Sequence, residues 1–182
     1  MRSYFLLAAA ALIAATPAAG AVTALGNSYA RSCFEAAEAR GTQGLGDLRV
    51  CDQALQVEGL SQGDLVATFV NRGILKARLG RVDEAIRDYD SALARDPDQA
   101  EAYLNKGFAL LHLPEAEQQA KPMFDSAIAK KTRRPALAYY GRAVAHELTG
   151  EVGAAYADYR MASRIDPKWR DPKVELARFK VN

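Results

Sequence analysis

Apolar and small positions along this 182-residue chain fall into a helical rhythm that is clearest between Leu65 and Pro97. Val66, Phe69, Val70, Gly73, Ile74 and Ala77 recur at steps of three and four, the spacing that gathers side chains on one face of a helix. Gly80 ends that stretch. Asp83 and Glu84 then suit the positive end of a second helix, whose apolar side is Ala85, Ile86, Tyr89, Ala92 and Leu93. Asp96 and Pro97 close it, because proline disfavours helical backbone at the residue before it. The connection is short, which predicts an antiparallel pair. Gly73 and Ala85 are expected to face each other across it and let the helices approach, with Phe69 and Tyr89 filling the wider end.

The same pattern returns twice. Phe69 and Gly73 reappear one period later as Tyr103 and Gly107, and Gly80, Ala85, Tyr89, Ala92 and Pro97 reappear after a second period as Gly150, Ala155, Tyr159, Ala162 and Pro167. A period of about 34 residues marks a solenoid of helical hairpins. The middle copy departs from it. Pro114 stands at the turn glycine's place, one residue is inserted before Ala120, Phe124 and Ala127, Pro135 comes late, and Pro122 within the second helix predicts a looser or bent hairpin.

The arrangement of aromatic, small residue, turn glycine, alanine, aromatic, alanine and closing proline resembles the tetratricopeptide repeat. That resemblance implies an all-α fold, a right-handed superhelical solenoid of antiparallel helix pairs, with repeats at 66–99, 100–135 and 136–169 inside 65–169. It also implies a non-catalytic protein-protein interaction module that binds a peptide or protein segment on its concave side. A solenoid needs its last hydrophobic face covered. Residues 170–182 suit a capping helix, with Asp171 and Pro172 at its start and Val174, Leu176, Ala177, Phe179 and Val181 on one side; Trp169 either seals this junction or meets a partner.

Residues 1–21 read as an export signal: Arg2, an apolar run from Phe5 to Ala15, and Ala19, Gly20 and Ala21 as a cleavage site. The run is too short to span a bilayer stably. A bacterial periplasmic or secreted protein, cleaved near Ala21, is expected, with no membrane insertion afterwards. Residues 22–64 hold both cysteines, in a stretch that looks like a degenerate first hairpin. Cys33 lies eight residues before Gly41 and Cys51 seven after Gly44, nearly matched distances from the turn that suit a disulfide in an oxidising compartment, the other reading being two buried thiols. Ser61 and Asp64 are candidate caps for the helix that follows.

Charge narrows the function. With 24 basic and 22 acidic residues the net charge is +2, which gives no case for nucleic acid as partner. Lys130, Lys131, Arg133 and Arg134 form one basic cluster, either a solvated loop or a docking point for an acidic partner. His112 and His146 lack metal-ligand spacing, and no nucleophile or phosphate-loop motif occurs, so neither metal, cofactor nor catalysis is expected. Asp88, Asp90 and Asp158 are expected on exposed helix faces.

The candidate binding residues lie on the first helix of each repeat: Val70, Asn71, Ile74 and Arg78, then Leu104, Asn105 and Phe108, then Tyr140 and Val144. Asn71 and Asn105 stand one period apart, hence at the same height on adjacent first helices. The family resemblance implies an asparagine ladder holding a peptide backbone, a task for a side chain that both donates and accepts; packing between repeats is the alternative role. An apolar or helical segment is the expected ligand. The chain is expected to be a monomer or weak homo-oligomer, and a structural protein that self-associates through its end helices is the competing reading.

Overall fold

The computed structural model describes residues 20–24, 28–39, 44–56 and 59–179, and every regular element among them is helical. In chain order these are α1 (Ser28–Glu38), α2 (Leu45–Gln56), α3 (Gln62–Arg78), α4 (Val82–Leu93), α5 (Ala100–Leu111), α6 (Glu117–Ala129), α7 (Pro135–Leu148), α8 (Val152–Ile165) and α9 (Asp171–Leu176). The leader at 1–19, the turn at 40–43 and Val181 lie outside the described residues.

Local chemistry sets the helix ends. The Ser61 hydroxyl accepts from the Asp64 amide at 3.1 Å and donates to the Asp64 carboxylate at 2.7 Å, a reciprocal cap on α3. Gly80 and Gly150 take positive φ, +75° and +81°, and let the next amide fold back onto the helix: Arg81 N–H donates to the Lys76 carbonyl and Glu151 N–H to the His146 carbonyl. The middle pair has no glycine at its turn. Glu115 holds a φ of 60° there, and α6 runs on through Pro122.

Two second helices, α4 and α6, each seat an aromatic ring in a glycine notch on a first helix. A Cβ on Gly73 would overlap the Tyr89 ring, and one on Gly107 would lie 2.8 Å from the Phe124 ring. Gly73 therefore makes room for the Tyr89 ring. Phe124 is pressed by two notches, Gly107 of its own pair and Gly141 of the next. Phe69 sits at the edge, half-buried, under the guanidinium groups of Arg95 and Arg72 at 4.7 and 5.7 Å.

Pairs stack through a recurring ion tie from a first helix to the second helix before it. Arg72 reaches Asp52 at 2.8 Å, Lys106 reaches Asp90 at 2.5 Å, and Arg142 reaches Asp125 at 2.5 Å. Two of these cations also grip a carboxylate in their own pair. Arg72 holds Asp88 and Arg142 holds Asp158, each through two hydrogen bonds. Asp88 and Asp158 are consequently buried rather than exposed, while Asp90 keeps the exposed position expected of it.

Cys33 and Cys51 are joined by a disulfide between α1 and α2. At the other end α9 packs on α8. Phe179 reaches the rings of Tyr156 and Tyr159, and Trp169 lies 4.9 Å from Tyr140 with its indole N–H donating to Asp171. The tryptophan thus closes the junction, and Asp171 serves it rather than the helix amides.

Candidate peptide-docking site

Packing order defines an inner side. First helices touch first helices, α1 on α3, α3 on α5 and α5 on α7, whereas each second helix packs within its own pair and against the next first helix. Among the described residues no comparable packing joins one second helix to another, so the stack is tighter on the side of the first helices.

Against that side lie residues 20–24, non-helical chain that precedes α1. Asn71, wholly buried at the middle of α3, holds this segment at two points. The Val22 N–H donates to Asn71 Oδ1 at 2.8 Å, and Asn71 Nδ2 donates to the Val22 carbonyl at 2.7 Å. A residue whose own N–H and C=O both meet one partner is in the arrangement of a paired strand. One carboxamide thus satisfies a whole backbone unit, which only a side chain with both donor and acceptor can do.

The contacts around this clamp are of two kinds. Ala21 and Ala24 are buried, Ala21 in the cluster containing Val66 and Val70, Ala24 against Ala30, Ala54 and Ala67, so small side chains are required at both places. Upstream, the Arg133 guanidinium donates to the Ala21 carbonyl at 3.3 Å, and a Cβ on Gly20 would lie 2.9 Å from the Glu101 side chain. Glu101 is itself buried and accepts from the Arg133 amide at 2.8 Å and the Thr132 hydroxyl at 3.3 Å. The basic cluster is therefore in part structural, with its loop anchored to α5. Beyond Gly20 the surface opens into a cleft of about 580 Å3 lined by Arg133, Arg134, Leu137, Ile165, Lys168 and Trp169 among others.

The remaining residues singled out from sequence have other partners. Arg78 donates to the Ala37 and Ala39 carbonyls, satisfying the end of α1. Asn105 turns back on its own helix, donating to the Glu101 carbonyl at 2.7 Å, whereas Asn71 bonds the backbone of a separate segment. Val70, Ile74, Leu104, Phe108 and Val144 are buried between helices, and Tyr140 is half-buried against Tyr159 and Trp169, with its hydroxyl pKa raised by that burial. Sequence reasoning missed Glu101 and the chain at 20–24, and had Arg133 only as part of the basic cluster. The repeated small residues in Gly20, Ala21 and Ala24 were a signal, but one shared with an export leader. Among the described residues no group of His, Cys, Asp and Glu could hold a metal ion.

The sequence profile described as "Tetratricopeptide repeat" matches residues 70–132 and 118–168. Three solved structures share the fold at 23% identity each. The first tetratricopeptide domain of the human RPAP3 protein aligns over 62% of this chain and 87% of its own with a TM-score of 0.58. MamA residues 41 to the end from Desulfovibrio magneticus RS-1 aligns over 72% and 71% with a TM-score of 0.62, and a MamA RS-1 double mutant over the same shares with 0.61. No curated protein sequence matches this one significantly.

Proposed function

The chain belongs to the tetratricopeptide repeat family, and from that premise we propose that it is a non-catalytic adaptor that receives a peptide or protein segment on the inner face of its helix stack. The family is in general an interaction module, and this stack offers one backbone-reading side chain at the middle of that face. The observation that carries the reading is the two-point grip of Asn71 on Val22. The geometry favours an extended segment with small side chains over the helical segment expected from sequence.

The compartment we assign is exported, periplasmic or secreted. The Cys33–Cys51 disulfide suits an oxidising space, and among the described residues no helix is long and apolar enough to cross a membrane. Cleavage near Ala21 would leave Val22 at the new terminus, and its amine would still face Asn71 Oδ1. Affinity capture from an envelope extract, comparing the wild type with Asn71→Ala, tests the site. Partners lost from a folded Asn71→Ala protein support the inner face; the same partners retained point to an end surface instead.

A further inference from the structure

The inner face is already filled by the chain's own backbone. Asn71 has both halves of its carboxamide committed to Val22, and the flanking alanines bury against α3 and α2. From this we infer that residues 20–24 are a tethered competitor, of which residues 22–24 stay in cis after cleavage near Ala21: they occupy the site, and the site's ligand in trans is an extended peptide of the same chemistry, with small residues at the places of Ala21 and Ala24 and a free backbone N–H between them. The inference rests on the inner-face reading above.

Four observations define that ligand. The Asn71 grip needs an N–H and a C=O on one residue, which excludes proline at the central place. Ala24 lies among Ala30, Ala54 and Ala67, a wall of small residues with room for a methyl group. Arg133 reads a carbonyl one residue upstream, which fixes the direction of the peptide. The central side chain is half-buried and the one after it, Thr23, is exposed, so both tolerate variation. The strap ends at Ala24 and α1 begins at Ser28, a tether short enough to hold it at a local concentration in the millimolar range. A free peptide competing with it sees only the fraction of molecules whose site is open, so its apparent affinity falls by that fraction.

The test uses the full chain with its disulfide formed and a fluorescent, acetylated peptide carrying the sequence of residues 19–25. Two variants open the site independently: Ala24→Arg, too large for the alanine wall, and Val22→Pro, which deletes the amide donor. Both are checked for an unchanged helical spectrum and cooperative melting. Fluorescence anisotropy should show the opened variants binding the peptide about tenfold or more tighter than the wild type. Methylating the central amide nitrogen of the peptide should abolish that gain. Equal binding by wild type and opened variants would leave a peptide site but remove the competitor; no binding by either folded variant would remove the inner-face site as well.

Discussion

Arg72 and Asp88 meet fork to fork, Nε to Oδ2 at 2.9 Å and Nη2 to Oδ1 at 2.6 Å, and the same pair stands two repeats further on as Arg142 and Asp158 at 2.7 and 2.8 Å. Lys76 adds a second cation to Asp88 at 2.7 Å, and His146 stands in its place beside Asp158. In the middle pair the corresponding position is Met123, and Lys106 ties only to Asp90. The charged seam is strong in the second and fourth pairs and thin in the third.

Asp88→Ala takes the close partner from the buried Lys76 ammonium and the two-point grip from half-buried Arg72, which keeps Asp52. The expected loss is about 3–5 kcal/mol, since removing one partner leaves uncompensated buried charge. Replacing Arg72, Lys76 and Asp88 together by apolar residues of similar size should return most of it. Urea unfolding of the single and triple variants measures both.

Gly73→Ala drives a methyl group into the Tyr89 ring. Overpacking of this kind costs about 1–3 kcal/mol. A second change, Tyr89→Leu, should be less damaging in the Gly73→Ala background than in the wild type, because it removes the ring the methyl strikes. The four melting curves form a double-mutant cycle, and a coupling near zero would contradict the notch.

Glu151 is the pH-sensitive tie. Hydrogen bonds from Lys121, then His146 and Thr149, hold its carboxyl down to about 2 from the ordinary 4.5. Its contribution is present in full above about pH 4.5 and disappears as pH falls toward 2. The stability gap between wild type and Glu151→Gln should therefore close progressively as pH falls from about 4.5 toward 2, in unfolding curves taken at pH 5, 3.5 and 2.

Reducing the Cys33–Cys51 bridge, which spans 18 residues, releases the first pair. A loss of roughly 3 kcal/mol is expected from the freed loop. Unfolding with and without reductant reads it directly.

The sequence carried the stack more fully than the site. Period, turn glycines and the small-against-aromatic pattern are local and survive in three copies, and the nearly matched distances of Cys33 and Cys51 from one turn foretold their bond. Burial of Asp88 was hidden because an aspartate beside a tyrosine on a second helix reads as an outer face, and its partner lies 16 residues away on another helix. The recurrence of that Arg and Asp spacing at Arg142 and Asp158 was the signal available. Asn71 was legible as a backbone-holding amide; what it holds was not, since residues 20–24 have no helical period and share their composition with a leader. Asn105 has the same residue type at the same register, yet the Glu101 carbonyl one turn back takes its donor.

The inner-face account is tested most directly by mapping where a peptide lands. The probe carries the sequence of residues 19–25 with a benzophenone at the exposed place of Thr23, and it is irradiated with the full-chain Ala24→Arg variant before mass spectrometry. Crosslinks confined to α3, the parts of α1 and α2 that surround Ala24, and the α6–α7 loop, lost on Asn71→Ala, are the predicted result. Crosslinks at α8 and α9, or a pattern unchanged by Asn71→Ala, would contradict it.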